Sequence, residues 1–248
     1  MLTMMPNIFL ISILTLIASI IGTVTGFGTS TIMVPIISFI LPVPETLLFV
    51  GIIHWFSNIW KITFFKKGIN VKLVLLFGIP GLVVSFFAAG LPLILPTHLL
   101  KQLFGLFLIS YSVFVFCKPR WKLKADSRNA VVGGALSGFF SGVFGVGGSI
   151  RSAFLSAFNL QKATFLVTSG VIGFMIDSSR LVQYIIGDTR LTAPWLFILL
   201  ICIPISFVGA FIAKNFVNKI QQKSFRTIVL IALFLIGLRY LILGEIYL

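Results

Sequence analysis

Six polar side chains interrupt two long apolar stretches of this sequence, at spacings that place them on helix faces. They are His54, Asn58 and Lys61 in the first stretch, and Asp177, Arg180 and Tyr184 in the second. Intervals of three, four and seven residues bring each trio onto one face of an α-helix. Ionisable groups inside apolar helices are costly and usually functional, so both faces are candidates for ligand binding or proton transfer.

Each of these residues also has a purely structural interpretation. Asp177 and Arg180 are three residues apart and can form an ion pair. Lys61 and Arg180 lie near the ends of their segments, where a long side chain can extend to the membrane surface. His54 can titrate near neutral pH or serve as a hydrogen-bonded core residue. We predict substrate contacts from Asn58, Lys61 and Arg180, and a coupling proton at His54 or Asp177.

The elements that carry these faces are predicted to be membrane-spanning helices. The 248-residue chain is 58% hydrophobic and only 10% charged, with a mean hydropathy of +1.15. Soluble domains are about 45–50% apolar and about 25% charged. The net charge of +14 comes from loops between the apolar runs, which indicates orientation by the positive-inside rule rather than nucleic-acid binding. We therefore predict an all-α polytopic protein in a lipid bilayer.

Long and short apolar segments alternate in a regular order. The long ones cover 6–25, 46–65, 71–95, 98–117, 128–146, 163–186, 192–213 and 224–243, and the short ones cover 29–41 and 149–159. At about 1.5 Å per residue, a short segment crosses only half of a bilayer. Each short segment follows a glycine-rich break, GFGTSTIMVP from residue 26 and GVGGSIRSAF from residue 145.

The two halves of the sequence align at an offset of 119 residues, which superimposes Asn58 on Asp177 and Lys61 on Arg180. We predict two repeats, 1–118 and 128–248, joined by a basic cytoplasmic linker at 119–127. If each break forms a hairpin, the repeats are inverted and both termini lie outside. The cytoplasmic loops then carry 13 Lys and Arg and the outer loops carry two, whereas parallel repeats give nine against six. The positive-inside rule favours inversion.

The two breaks together predict an anion site, with half-helices that start after Gly28 and Gly148. Helix N-termini present unpaired N–H groups and the positive end of the helix dipole, and broken helices in matching positions of inverted repeats mark the midplane sites of transporters. The predicted contacts are Gly26, Gly28, Thr29, Ser30, Gly145, Gly147, Gly148, Ser149 and Arg151, with Thr31 and Ser152 as further hydroxyl donors. The alternative is that the glycines only permit close helix packing.

Other classes of function lack the residues they need. Five acidic residues and two histidines are too few for a catalytic carboxylate pair or a metal cluster, and an ATP-binding GxxxxGK[ST] loop is absent. We expect neither an enzyme nor a cofactor. A cation or metal permease is disfavoured because only Asp177 supplies an anionic ligand within an apolar segment. A non-transporting scaffold subunit would need neither the repeat nor polar half-helix ends. The oligomeric state is left open.

The chain resembles the sulfite exporter TauE/SafE family of membrane permeases over nearly its whole length. The resemblance rests on the paired breaks TGFGTSTIMVP and SGVFGVGGSIR, and on the helices after them, which end at Gly68 and Gly187. It implies a secondary transporter of the bacterial or archaeal cell (inner) membrane that exports sulfite or organosulfonates by alternating access, driven by an ion gradient. Thr29–Ser30, where members often have Gly-Gly or Gly-Ser, and Phe154, opposite Pro35, depart from the pattern and leave the substrate open.

Overall fold

The chain is helical throughout the residues that the structure describes. The computed structural model describes residues 8–65, 68–117, 123–216 and 222–242, with the backbone alone at 216 and 222–229. Within these ranges the helices are α1 (Ile8–Thr25), α2 (Ser30–Ile37), α3 (Val43–Phe64), α4 (Val71–Ala88), α5 (Leu91–Ile94), α6 (Thr97–Cys117), α7 (Ser127–Phe144), α8 (Gly147–Leu155), α9 (Lys162–Ile186), α10 (Ala193–Phe216) and α11 (Gln222–Ile242). A 3-10 turn, Ser156–Phe158, follows α8.

The prediction of an all-α polytopic membrane protein is confirmed. Six helical stretches are long and apolar enough to cross a membrane: Ile8–Thr25, Val43–Phe64, Val71–Ile94, Thr97–Cys117, Lys162–Ile186 and Ala193–Asn215. The predicted apolar segment 71–95 forms one candidate span that contains two helices, because α4 ends at Ala88 and α5 begins at Leu91. Pro92 lies at the start of α5, and a proline ring clashes with the carbonyl four residues earlier in a continuous helix.

Helix pairs pack in a pattern that matches the predicted repeat. Under the offset of 119, α1 corresponds to α7 and α4 corresponds to α10. Helix α1 packs against α10, and α7 packs against α4. The self-corresponding pairs α3–α9 and α6–α11 also pack together. This arrangement supports two related repeats, 1–118 and 128–248, whose boundaries and inversion remain predictions. Residues 118–122 of the linker region lie outside the described ranges.

The first break has the geometry that a hairpin requires. Val24, near the end of α1, packs with Phe65 at the end of α3 and with Leu166. The chain then turns, and α2 begins at the level of Ser57, whose Oγ lies 3.4 Å from Thr29 Oγ1. Helix α2 ends at Ile37, and a short loop then leads to the start of α3 at Val43. Since α1 reaches the far end of α3 and α2 returns to its beginning, the chain doubles back within the protein.

Glycines also allow close helix packing between α4 and α7. Gly134, Gly138 and Gly142 are spaced four residues apart along α7 and face α4. A Cβ added to Gly138 would overlap the carbonyl oxygen of Gly81. This small-residue stripe lets the two backbones touch.

Candidate functional site

The first break is a glycine turn pressed against a histidine. Gly28 has a φ of +85°, which an L-residue with a side chain rarely adopts. A Cβ at Gly28 would overlap Nε2 of His54, which lies on α3. The α2 N-terminus follows at once, because α2 begins at Ser30. The imidazole of His54 is therefore in direct contact with the backbone of the break.

The second break begins with a left-handed glycine that ends α7. Gly145 has a φ of +70° and its N–H donates to the Ser141 carbonyl at 2.9 Å, while Val146 N–H donates to Phe140 at 3.2 Å. This pair of bonds is the Schellman arrangement that closes many helices. Helix α8 then starts at Gly147. The expectation that this helix starts only after Gly148 is therefore wrong by two residues.

The two breaks, far apart in sequence, touch each other. A Cβ at Gly148 would overlap the carbonyl oxygen of Phe27 in the first break. Ser152 Oγ donates to the Gly26 carbonyl at 2.5 Å. The N-terminal turn of α8 is therefore covered in part by carbonyl groups of the first break.

Most of the hydroxyl groups predicted to contact an anion are already engaged. Thr31 Oγ1 donates to the Phe27 carbonyl at 3.0 Å and Ser149 Oγ donates to the Val146 carbonyl at 3.0 Å. Small hydroxyls at helix starts commonly satisfy nearby backbone groups. The contacts predicted for these two residues and for Ser152 therefore stay predictions, in which the hydroxyl would have to leave its present carbonyl partner. Ser30 Oγ is buried and has no partner within the described residues.

Asp177 is the centre of a buried polar cluster between α3 and α9. Its Oδ1 accepts from Arg180 Nε at 2.8 Å, which confirms the predicted i, i+3 pair. Its Oδ2 accepts from Asn58 Nδ2 at 2.7 Å and lies 2.8 Å from His54 Nδ1. All four residues are at most 1% exposed. The carboxylate thus holds three donors in fixed positions, two of them from the other predicted repeat.

Lys61 and Arg151 are further members of the cluster. They lie toward the C-terminal end of α3 and the N-terminal end of α9, and both of these ends are near the C-terminus of α1. Lys61 Nζ donates to Asn58 Oδ1 at 3.0 Å, and Arg151 Nε donates to Ser169 Oγ at 3.0 Å. Lys61 is 0% exposed and Arg151 is 1% exposed. Neither Lys61 nor Arg180 extends to the protein surface, so both point into the cluster. Ser169 gave no signal in the sequence that identified it as the partner of Arg151.

The cluster carries an excess of positive charge. Lys61, Arg151 and Arg180 are fully buried, and Asp177 is the one fully buried carboxylate among the described residues. Burying charge without a partner costs several kcal/mol per ion. The two guanidinium groups beside one carboxylate leave an unbalanced positive field whether or not Lys61 and His54 are protonated. A bound anion would neutralise this excess.

Several hydrogen-bond donors in the cluster have no acceptor. Arg151 Nη2 is buried and unpartnered among the residues that the structure describes, and so is His54 Nε2, which is a donor only when it carries a proton. Neither Nη atom of Arg180 makes a hydrogen bond of suitable geometry there, although the Tyr184 hydroxyl lies beside the guanidinium. Buried polar groups normally find partners. Arg180 Nη1 lies 3.5 Å from a Cβ built at Gly145 and Arg151 Nη2 lies 3.6 Å from one built at Gly148, so both guanidinium groups lie beside the second break. Unpaired donors close to the two breaks are the arrangement expected for an anion site.

Two glycines make room for the two equivalent cations. A Cβ added to Gly51 on α3 would lie 3.4 Å from Cζ of Arg180, and one added to Gly170 on α9 would lie 3.3 Å from Cβ of Lys61. Gly51 and Gly170 are themselves 119 positions apart, as are Lys61 and Arg180. Each predicted repeat therefore leaves space for the cation of the other. Sequence reasoning missed both glycines, because each gains its meaning only from the packing of α3 on α9.

Comparison with known proteins gives a family. The family model for the sulfite exporter TauE/SafE matches residues 11–240. A protein from Methanocaldococcus jannaschii, described as "Probable membrane transporter protein MJ0441", is 28% identical, over 73% of this chain and 73% of its own. The two matches agree with the membrane fold and with a transporter. On this evidence the chain belongs to the sulfite exporter TauE/SafE family of membrane transporters.

Proposed function

We propose that this membrane transporter exports small sulfur-containing anions, such as sulfite or organosulfonates, as a secondary transporter. The anion lies beside the first break, between the α2 N-terminus and the cationic side chains of α8 and α9. The family match and the transporter homologue support the class of protein. The choice of an anion rests on the buried cluster.

The observation that carries the proposal is the charge balance of this cluster. Three buried cations and one buried carboxylate form a poor site for a metal or an organic cation, which needs anionic or neutral oxygen ligands. An oxyanion instead takes hydrogen bonds from guanidinium groups, which suit its geometry. Arg151 Nη2 and Arg180 Nη1 and Nη2 are the unpaired donors available for it within the described chain.

Alternating access follows from the position of the cluster between the two predicted repeats. Asn58 and His54 belong to one repeat, and Asp177, Arg180 and Arg151 belong to the other. A relative rocking of the repeats about α3 and α9 would change access to the anion from one side of the membrane to the other, as in other transporters with inverted repeats. The anion would strengthen the contact by neutralising charges from both halves.

Thermal unfolding of the detergent-purified protein tests the anion site. The panel is sulfite, sulfate, thiosulfate, sulfoacetate, taurine and chloride. A ligand at about 100 times its Kd stabilises by roughly 2.7 kcal/mol. We expect one sulfur oxyanion to raise the unfolding temperature, and Arg151→Ala to abolish that shift. Arg190→Ala is the matched control, because Arg190 is 82% exposed in its side chain and pairs only locally with Asp188.

Two results would contradict this function. One is a panel in which no anion shifts the unfolding temperature while a divalent metal does, which would favour the cation or metal permease. The other is an equal anion shift in Arg151→Ala and Arg190→Ala, which would place the anion elsewhere. Flux of the identified anion in proteoliposomes then distinguishes a transporter from a membrane scaffold, since a scaffold subunit binds without moving its ligand.

A further inference from the structure

His54 differs from every other member of the cluster in the way its two ring nitrogens are placed. Nδ1 lies 2.8 Å from Asp177 Oδ2. Nε2 is buried, has no partner among the described residues and faces the backbone of Gly28. A ring nitrogen beside a carboxylate carries its proton, because the carboxylate can only accept. The charge of the ring therefore depends on Nε2 alone.

From this geometry we infer that His54 Nε2 binds the proton that accompanies the anion, and that Asp177 is a positioning residue rather than a proton carrier. The inference rests on the proposed anion site at the first break. A neutral His54 presents a lone pair to that site, which repels an oxyanion. A protonated His54 presents an N–H donor, which binds it. Anion and proton must then bind together.

Asp177 is poorly placed to take the proton itself. Its two oxygens already accept from Arg180 Nε and Asn58 Nδ2, and Oδ2 also lies 2.8 Å from His54 Nδ1. Protonating the carboxylate would require at least one of these donors to lose its acceptor while buried. Leaving a buried donor unsatisfied is unfavourable. The role that fits the contacts is to hold the imidazole in one tautomer, with Nε2 directed at the break.

The remaining charged groups around His54 set the direction of the coupling. Lys61 on the same helix and Arg151 on α8 are close enough to repel a proton on the ring electrostatically, and Asp177 on α9 attracts it. Arg180 is held by the same carboxylate. With the site empty, burial of the ring away from water favours the neutral form, and the two cations add to that preference. A bound anion offsets them, and protonation then becomes favourable.

The other repeat lacks an equivalent group. The offset of 119 places Gly173 opposite His54. At Gly173 a Cβ would lie 2.8 Å from Arg151 Nη2 and 2.7 Å from Asn58 Nδ2, so the arginine occupies the space of a second imidazole. The cluster therefore has one titrating ring, and we expect one proton per anion bound.

Nuclear magnetic resonance of labelled histidine tests this inference directly. The sequence has two histidines, and His98 is exposed, so His98→Gln leaves a single reporter. Without added anion we expect a neutral ring in the tautomer with the proton on Nδ1. With saturating sulfite, thiosulfate or sulfoacetate, whichever stabilises the protein, we expect a doubly protonated ring. The spectrum reports the ring itself, so titration of the anion does not interfere.

Proton uptake on binding supplies an independent measurement. In weakly buffered solution, sulfoacetate or thiosulfate binding should draw about one proton per anion into His98→Gln. His54→Gln should draw none per anion bound, because an amide does not titrate there. By linkage, one coupled proton changes the anion affinity of the His54 protein by up to about tenfold per pH unit.

The possible outcomes separate this inference from the proposed function. The coupling is overturned, while the anion site stands, if an anion stabilises the protein but His54 stays neutral. The same conclusion follows if anion binding still takes up a proton in His54→Gln. A ring with its proton on Nε2 contradicts the role of Asp177. If no anion on the panel stabilises the protein, both the site and the coupling fail. A doubly protonated ring that appears only with the anion supports the inference.

Discussion

Asn58 Nδ2 donates to Asp177 Oδ2 at 2.7 Å, although the two residues lie 119 positions apart. That separation is also the offset that aligns the two halves of the sequence. Residues in equivalent positions of two repeats touch each other only where they lie close to the axis that relates the repeats. If the two halves are inverted repeats as predicted, the contact places the buried cluster next to the axis that relates them, where such a transporter would hold its substrate.

Replacing the central carboxylate should destabilise the fold. Asp177→Asn leaves Arg180 without a counter-charge and disturbs the ring of His54. Removing one member of a buried ion pair typically costs about 3–5 kcal/mol. We expect a clear fall in unfolding temperature in detergent without added anion. Asp188→Asn, in the exposed pair with Arg190, should change little, and equal stabilities of the two variants would contradict a structural role for the Asp177 pair.

The two equivalent cations should both be needed for transport. Lys61→Ala and Arg180→Ala each remove a fully buried positive charge, and we expect anion flux in proteoliposomes to fall at least about tenfold, the effect of 1.4 kcal/mol. Lys124→Ala, at an exposed position, is the control. Rates are compared at equal amounts of folded protein. Wild-type flux in either buried variant would remove that residue from the site.

The backbone of the first break should not tolerate a side chain. In Gly28→Ala the new methyl group would overlap His54 Nε2, and the φ of +85° is strained for alanine. We expect loss of the anion-induced thermal shift, with the fold retained or weakened. Gly90→Ala is the matched control, since its nearest neighbour is the flexible Gln183 Nε2 at 3.2 Å. An unchanged anion shift in Gly28→Ala would place the ligand away from the break.

We expect the anion to reach Arg180 through a small crevice, with apolar side chains between the crevice and the guanidinium. The crevice has a volume of about 10 Å³, and Val34, Leu47 and Tyr240 are among its lining residues. Val34 and Leu47 both contact the Gly145 position, and Arg180 Nη1 lies 3.5 Å from a Cβ built there. We expect Leu47→Cys, with Cys117→Ser, to react with a small thiol reagent and to be protected by the bound anion.

Ile53→Cys is the control for this labelling, because Ile53 is equally buried on α3 but does not line the crevice. Labelling at Ile53 that is as fast as at Leu47 would indicate general opening of the helix bundle. Labelling of Leu47→Cys at a rate that the anion does not change would separate the crevice from the path of the substrate.

The predicted orientation in the membrane can be tested by labelling from one side. Lys124→Cys and Arg190→Cys are both exposed and belong to loops that the charge distribution assigns to the cytoplasmic and outer faces. With Cys117→Ser in the background, an impermeant thiol reagent added to intact cells should label only Arg190→Cys. Labelling of Lys124→Cys alone would reverse the predicted orientation.

The sequence by itself determined the class of fold and most of the helices. Apolar length and charge are local properties, and they placed ten segments that all correspond to helices. Periodicity also identified the shared faces of His54, Asn58 and Lys61 and of Asp177, Arg180 and Tyr184, whose members are all buried. The break in 71–95 was missed, although Pro92 was the local signal for it.

The tertiary structure decided which of these residues meet. No local pattern sets the approach of His54 to Gly28, the bond from Arg151 to Ser169, or the contact of Phe27 with Gly148, because each joins two helices whose relative position depends on packing of the whole bundle. The same packing turned Ser152 from a predicted ligand contact into a link between the breaks. Spacing along a helix defines a face, whereas the partner of that face is set by the other helices.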